Sequence, residues 1–201
     1  MTVREVRFAA LDFESAGTAP GLTDEPVQIG IAGRENGELR ILLDSHLKPT
    51  RPVTWAAQSV HGIDDHALSS APRFVDLWPA LNDCLRDRWI VAHGAGTERR
   101  FLRAFPLHGF GPWVDTLRLA RRFFPGCGSY ALGDLIGLFG LQSRLDRPGF
   151  RWHDAASDAA ACLVLLEHIL DASGLWNEPV DLFRQLAGPG FKLATRDLGR
   201  V

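Results

Sequence analysis

The first third of the chain alternates apolar and polar residues with the two-residue period of β-strands. Residues 3–14 follow this period, and their last positions are apolar on both faces, which indicates a strand that enters a core. Two further strands are predicted over residues 27–33 and 38–47. Asn36 and Gly37 between them both tolerate positive φ, so the pattern predicts a tight hairpin and three consecutive antiparallel strands.

After residue 50 the apolar residues recur every three or four positions, as on one face of a helix. A short helix is predicted to end at His61, and short strands are predicted over residues 89–93 and 113–115. Ser129 and Asp154 are the predicted N-caps of two later helices. Helices are predicted over residues 72–86, 97–105, 116–124, 129–139, 154–172 and 178–186. The pattern therefore predicts an α/β fold, with a mixed five-stranded sheet flanked by helices.

The length of 201 residues suits one domain, which we expect over residues 1–175, with a short helix and tail over 176–201. Apolar residues make up 46% of the chain, but no stretch approaches the roughly 20 apolar residues of a membrane helix. Charged residues near the start exclude a secretory signal, and three widely spaced cysteines favour a reducing cytoplasm. The net charge of −2 excludes binding of nucleic acid by bulk charge, but leaves room for an enzyme with a local basic rim.

Two acidic residues stand at the end of the first predicted strand. Asp12 and Glu14 are two positions apart, so a strand places both carboxylates on one face, about 7 Å apart. Half-buried like charges repel each other and lose solvation, and a bound cation removes that cost. The alternative is that the strand ends at Leu11 and that water solvates both side chains.

Three more candidate functional residues lie at the edges of predicted elements. Glu98 stands near a helix start, His153 precedes the longest helix, and Asp158 lies within its first turns. Each has a purely structural alternative: Glu98 interacts favourably with the helix dipole, His153 is a loop histidine, and Asp158 is a surface residue of an alanine-rich helix. Such edges converge at one end of a mixed sheet, which brings all three toward Asp12 and Glu14.

Three segments of the chain resemble the motifs of the DnaQ-like, DEDDh group of 3′–5′ exonucleases. They read DFES at residues 12–15, HGAGTE at 93–98 and HDAASD at 153–158. The group includes the proofreading subunit of bacterial DNA polymerase III, and its fold is ribonuclease H-like. The middle segment departs from the family pattern at three positions, because Glu98 stands where the family has Asp, Gly94 where it has Asn and Thr97 where it has Phe.

The resemblance implies a chemistry and a set of site residues. It implies a metal-dependent enzyme that releases nucleoside 5′-monophosphates from the 3′ end of DNA, with two divalent cations, Mg²⁺ or Mn²⁺. His153 is the implied general base, since histidine ordinarily titrates near neutral pH. The implied metal ligands, which are also catalytic residues, are Asp12, Glu14, Glu98 and Asp158. The implied contacts to the terminal nucleotide are Ser15, Ala16 and Ile63. Trp55 and Phe13 are candidates for stacking on a base, and the alternative for Phe13 is a position in the core.

Two alternatives remain open at this point. One is a 3′–5′ exoribonuclease of the same superfamily, because recognition of the 2′-hydroxyl depends on the shape of the pocket. The other is a catalytically weak nucleic-acid-binding module that accompanies a DNA polymerase. The expected partners are single-stranded or 3′-terminal nucleic acid and, for a proofreading subunit, a polymerase; a membrane is not expected. The short segment after Ser173 favours a stand-alone exonuclease.

Overall fold

The computed structural model describes residues 1–21, 23–145 and 149–187, which build a mixed sheet with helices on both faces. The strands are β1 (Phe8–Ser15), β2 (Pro26–Glu35), β3 (Glu38–His46), β4 (Trp89–Ala92) and β5 (Trp113–Asp115). Their order across the sheet is β3-β2-β1-β4-β5. The β1–β2 and β2–β3 pairs are antiparallel, whereas the β1–β4 and β4–β5 pairs are parallel. The predicted five-stranded α/β architecture is confirmed.

The helices follow the predicted order with shifted ends. Over the described residues they are α1 (Trp55–His61), α2 (Asp65–Leu68), α3 (Trp78–Leu85), α4 (Gly96–Leu102), α5 (Thr116–Phe123), α6 (Leu132–Leu138), α7 (Ala155–Ala172) and α8 (Val180–Ala187). The helix predicted over 72–86 is split into a 3-10 turn at Phe74–Leu77 and α3. Pro79 lacks the N–H of a helix interior, so it fits only in the first turn. None of the described helices combines the length and apolar character needed to cross a bilayer.

The chain does not begin as a strand, contrary to the prediction for residues 3–14. Val3–Glu5 form a 3-10 turn, and β1 begins only at Phe8. The backbone N–H of Thr2 donates to the Glu5 carboxylate at 2.5 Å, and this local hydrogen bond closes the turn. The alternating pattern is therefore real, but capping decides the conformation of its first residues.

One predicted helix cap is wrong and another is confirmed. The helix predicted from Ser129 begins three residues later, and its N-cap, Ala131, has no side-chain hydrogen bond. The Ser129 hydroxyl instead accepts a hydrogen bond from the Ala131 N–H at 3.2 Å, in a local turn. Asp154 caps α7 as predicted, since its carboxylate accepts from the Ser157 N–H at 3.0 Å.

Asn36 and Gly37 form the tight turn between β2 and β3. Their φ angles are 53° and 83°, the left-handed region that such two-residue turns require. The turn fixes the register of the hairpin, in which Glu35 pairs with Glu38. The predicted hairpin is confirmed, and it holds β3 beside β2.

The two faces of β1 belong to different cores. Ala10 packs in a cluster with α7, whereas Leu11 packs in a second cluster with Leu81 of α3 and Leu102 of α4. Because side chains alternate along a strand, Asp12 lies on the α7 side of the sheet, together with Glu14. The alternation predicted from the sequence therefore points both carboxylates toward the start of α7.

Gly30 of β2 allows α7 to reach the sheet. It pairs with Asp12 across the β1–β2 ladder. A Cβ added to Gly30 would stand 2.1 Å from the backbone carbonyl carbon of Ala155, far inside contact distance. The first turn of α7 therefore rests directly on the sheet beside Asp12, which only glycine permits.

We expect Gly30→Ala to lower the free energy of unfolding by about 3 kcal/mol, because the methyl group forces α7 away from the sheet. Urea denaturation followed by circular dichroism measures this change. Gly128→Ala is the matched control, since a Cβ at Gly128 meets no described atom within 4 Å. A Gly30→Ala variant as stable as the unaltered protein would contradict the proposed contact.

The last described helix packs on the same core as the sheet. The α8 residue Phe183 is fully buried, with its ring centroid 6.2 Å from that of Phe8 and 5.7 Å from that of Trp89. The described part of the segment 176–201 thus contributes to the core. The tail predicted from Gly188 onward lies outside the described residues.

Candidate active site

The acidic residues singled out from the sequence come together at one end of the sheet. Asp12 is central, because burial and the negative charges of Asp158, Glu98 and Glu14 all raise its pKa well above the ordinary value. These four carboxylates belong to β1, α4 and α7. The three other predicted acidic ligands, on β1, α4 and α7, are therefore all neighbours of Asp12.

The three neighbours of Asp12 also resist ionisation. Burial is the main cause, and it raises the pKa of Glu14 to about 7, that of Glu98 to about 7 and that of Asp158 to about 6. Negative charge from Asp158 adds to the effect at Glu14. Carboxylates that share a buried site in this way are typical of functional centres.

Glu98 projects from the first turn of α4 into the protein. Glu98 is 5% exposed, so the protein interior accommodates this residue, which is longer than the family's Asp. Within the described residues, Glu98 Oε2 and Asp158 Oδ1 are buried and have no hydrogen-bond partner. A buried carboxylate oxygen without a partner carries a desolvation cost that a cation removes.

His153 lies in a constrained turn before α7. Its φ is 59°, a conformation that residues with a side chain rarely adopt. The His153 N–H donates to Asp158 Oδ2 at 3.1 Å, which ties the turn to the first acidic residue of α7. One potential ligand atom from each of Glu14, His153 and Asp158 lies within 4.8 Å of the others.

These donors fit a divalent cation. The carboxylate oxygens suit hard ions such as Mg²⁺ and Mn²⁺, and the imidazole does not exclude Mn²⁺. The two buried oxygens without partners, on Glu98 and Asp158, are the observation that supports a fit. The predicted ligand set is thus assembled in space, while its role as a ligand set stays a prediction.

A buried glutamine that the sequence analysis missed positions the start of α7. Gln28 of β2 donates to Asp154 Oδ2 at 3.0 Å and accepts from the Ala155 N–H at 3.2 Å. It also donates to Asp44 of β3 at 3.0 Å. Nothing in the alternation of β2 distinguishes this residue, because its partners come from distant parts of the sequence.

The residues predicted to hold the terminal nucleotide lie where β1 leaves the sheet. The Ile63 N–H donates to His61 Nδ1 at 3.0 Å, so His61 Nε2 carries the proton that it shares with the Ser15 carbonyl at 3.1 Å. The Ala16 N–H and carbonyl both have backbone partners, and the Ile63 side chain is buried against Ala16. Substrate contacts by Ser15, Ala16 and Ile63 stay predictions.

The presence of Gly94, where the family pattern has Asn, has a local explanation. Its φ is 82°, and its N–H donates to Asp115 Oδ1 at 3.0 Å. The same carboxylate caps α5 by accepting from the Leu117 N–H at 3.0 Å. His93 beside it contacts Thr116 Oγ1 at 2.9 Å and the Tyr130 carbonyl at 2.8 Å, as expected for a structural histidine.

The aromatic residues named from the sequence differ in their surroundings. Phe13 is a core residue whose ring packs against Phe74 and Phe101, so its predicted stacking on a base is wrong. Trp55 is 82% exposed, and stacking by this residue stays a prediction. Trp152 directly precedes His153, but it was not among the aromatic residues predicted to stack on a base.

Comparisons of the sequence with known proteins find exonucleases and DNA polymerases. The sequence pattern of the exonuclease family RNase_T matches residues 9–166. A PolC-type DNA polymerase III of Thermotoga maritima is 30% identical over 163 residues, which make up 79% of this chain and 11% of the polymerase. This chain thus spans about a tenth of the length of the curated relatives that it matches.

Comparison of the fold with solved structures finds nucleases. Exonuclease X, solved in complex with 5′ overhanging duplex DNA, shares 25% identity at a TM-score of 0.70, over 90% of this chain and 99% of that one. The nuclease domain of 3′hExo, a DEDDh family member solved with rAMP, shares 15% identity at a TM-score of 0.67. The alignment covers 86% of this chain and 94% of that domain. This second likeness shows a common fold.

Proposed function

Since the chain belongs to the RNase_T exonuclease family and is a DnaQ-like 3′–5′ exonuclease with a ribonuclease H-like fold, we propose that it removes nucleotides from the 3′ end of DNA by metal-dependent hydrolysis. The proposed product is a nucleoside 5′-monophosphate. The observation that supports this chemistry best is the meeting of four carboxylates from three elements, beside His153. Each of these residues comes from a segment that carries the family resemblance.

Two divalent cations, Mg²⁺ or Mn²⁺, are the proposed cofactors, held by Asp12, Glu14, Glu98 and Asp158. When bound, they supply the positive charge that favours both an attacking and a departing oxygen. The protein contributes a preformed acidic pocket, in which burial raises the pKa of the Glu14 and Glu98 carboxyls to about 7. Asp12 of β1 belongs to this pocket, where Glu98 of α4 and Asp158 of α7 lie close enough to raise its pKa.

His153 is the proposed general base. It accepts a proton from the water that attacks the terminal phosphodiester, and the bond from phosphorus to the 3′-oxygen of the preceding nucleotide breaks. That oxygen takes a proton from solvent and leaves as a 3′-hydroxyl, so the shortened strand can react again. The hydrogen bond from the His153 N–H to Asp158 holds the turn in place, which keeps the imidazole beside the carboxylates.

DNA is the proposed substrate, because Exonuclease X was solved with duplex DNA and aligns over nearly its whole length. Single-stranded DNA and RNA of the same sequence, labelled at the 5′ end, test this proposal with Mg²⁺, Mn²⁺ or EDTA. We expect a ladder that shortens from the 3′ end of DNA only with a metal. Faster shortening of RNA would favour the exoribonuclease alternative, and binding without cleavage under any metal would favour the polymerase-accessory module.

A DNA polymerase is a proposed partner on the basis of the similarity to PolC-type enzymes. Gel filtration of this chain mixed with a bacterial replicative polymerase tests the partnership. Co-elution of the two chains supports the proposal. Separate elution at micromolar concentrations of both proteins would favour a stand-alone exonuclease.

Metal affinity is expected to rise with pH between 6 and 8. At pH 6 the Glu14 and Glu98 carboxyls, with pKa values of about 7, hold protons that a cation must displace. At pH 8 both are ionised, so binding is tighter and releases fewer protons. Calorimetric titration with Mn²⁺ in two buffers of different ionisation enthalpy measures both quantities.

A matched variant sharpens this measurement. Glu98→Gln removes one titrating carboxyl, so we expect fewer protons released at pH 6. Asp181→Asn is the control, since Asp181 is exposed on α8, outside the proposed ligand set. An affinity for Mn²⁺ that stays constant from pH 6 to pH 8 would contradict the proposed ligands.

A further inference from the structure

A cleft opens from the acidic pocket along the N-terminal end of α6. Its volume is about 440 Å³, and it shares His153 and Asp158 with the proposed site. The remaining walls are formed by Ala131, Leu132, Gly133 and Trp152, together with one further carboxyl, that of Asp134. The cleft is therefore a mostly apolar extension of an acidic site, which is unsuited to a phosphate and suited to a flat, uncharged group.

Trp152 presents an aromatic surface to this cleft. Its side chain is 39% exposed, although one side of the ring lies over Gly133 of α6, where an added Cβ would stand 3.7 Å from the indole. The Phe150 ring supports it edge-on, with centroids 5.1 Å apart and planes at 87°. The indole is thus held from two directions and still accessible.

The backbone around Trp152 is fixed on both sides. The Arg151 N–H donates to Ser157 Oγ at 3.4 Å, and the His153 N–H donates to Asp158 Oδ2 at 3.1 Å. Both acceptors belong to the first turns of α7. The ring is therefore positioned before any ligand arrives, which reduces the entropy lost on binding.

We propose that Trp152 stacks on the nucleobase of the penultimate nucleotide, on the 5′ side of the bond that is cut. This inference rests on the proposed function, because it needs a strand end at the carboxylates. The predicted contacts to the terminal nucleotide, at Ser15 and Ile63, lie at the end of β1 and after α1. The cleft borders the carboxylates from the α6 side, and none of Ser15, Ala16 and Ile63 lines it, so we assign it to the base of the neighbouring nucleotide.

Stacking in this cleft requires an unpaired base. A penultimate base that is paired to a complementary strand has its faces covered by neighbouring base pairs, so Trp152 cannot reach it. The enzyme should therefore act faster on a single-stranded 3′ end than on a blunt duplex. An aromatic platform thus selects unpaired 3′ ends whatever their base sequence, because every base has a π-face.

An abasic-site scan tests the proposal in the unaltered enzyme. Fluorescein-labelled single-stranded DNA carries one abasic site at the terminal, the penultimate or the sixth nucleotide from the 3′ end. Binding is measured by anisotropy with Ca²⁺, and cleavage is measured separately with Mg²⁺. We expect the penultimate abasic site to raise Kd and KM by about 5-fold to about 150-fold, and the site at the sixth nucleotide to have little effect.

Variants connect this effect to Trp152. With Trp152→Ala, intact DNA should bind as weakly as the penultimate abasic DNA binds to the unaltered enzyme, and the abasic site should have no further effect. Trp152→Phe should retain part of the discrimination. Leu138→Ala is the control, because Leu138 is 62% exposed at the other end of α6 and does not line the cleft.

The outcomes are distinguishable. Coupling between Trp152 and the penultimate base supports the proposal. Coupling at the terminal base alone, or an equal loss of binding by Trp152→Ala for intact and abasic DNA, overturns it. Absence of cleavage by the unaltered enzyme with any metal contradicts the proposed function instead, while the anisotropy data still decide whether Trp152 stacks on the base.

Discussion

Replacing Asp12 with Asn is expected to lower the rate of 3′-nucleotide release by about a thousandfold or more. Asp12 is the carboxyl whose pKa is raised by burial and by the charges of Asp158, Glu98 and Glu14, so it lies where those residues converge. The amide has nearly the same shape but no charge, and it cannot replace a carboxylate as a cation ligand. Single-turnover cleavage of labelled DNA with Mn²⁺ measures the loss.

Stability measurements separate this loss from misfolding. In EDTA, Asp12→Asn should melt at the same temperature as the unaltered protein or above it, because the substitution relieves repulsion among buried carboxyls. Saturating Mn²⁺ should stabilise the unaltered protein by about 3 kcal/mol at a hundredfold excess over Kd, and the variant much less. Asp181→Asn serves again as the control. A fully active Asp12→Asn enzyme would end the metal proposal.

Removal of the His153 imidazole is expected to lower the cleavage rate by about a hundredfold to about ten-thousandfold. His153→Gly is the better variant, because the φ of 59° at this position suits glycine and strains alanine. The residual rate should increase with pH, as hydroxide replaces the missing base. Free imidazole should restore part of the rate in His153→Gly, since the truncation leaves room for it.

Metal binding distinguishes a base from a ligand at this position. If His153 is the base, His153→Gly should bind Mn²⁺ almost as tightly as the unaltered enzyme in calorimetry. A large loss of Mn²⁺ affinity, without rescue by imidazole, would identify His153 as a ligand and contradict the assignment. Near-normal cleavage by both His153→Gly and His153→Ala would remove this residue from the mechanism.

Local sequence patterns are enough to predict most of the fold. The two-residue period placed Asp12 on the same face as Glu14, and the Asn36-Gly37 turn set the hairpin because its positive φ angles depend on two adjacent residues. The cap at Asp154 was equally local. The sequence alone therefore predicted that Asp12, Glu14, Glu98 and Asp158 meet at one end of the sheet.

The errors have a different origin, because they concern contacts between distant segments or competition between local signals. Phe13 follows the same alternation as its neighbours, and only the positions of α3 and α4 show that its ring is buried. Gln28 and Trp152 acquire their roles from residues more than a hundred positions away or from a neighbouring helix. Ser129 was a plausible cap, but its hydroxyl is used in a tighter turn.

The contact between Gly30 and Ala155 has a consequence for anyone who engineers this enzyme. Main-chain atoms are in direct contact between β2, whose Gly30 pairs with Asp12, and the first turn of the helix that carries Asp158. Rotamer changes and repacking of nearby apolar residues therefore leave this contact nearly unchanged. Libraries aimed at heat resistance or altered metal use can diversify the nearby apolar side chains, provided that Gln28 and position 30 are left out of the randomised set.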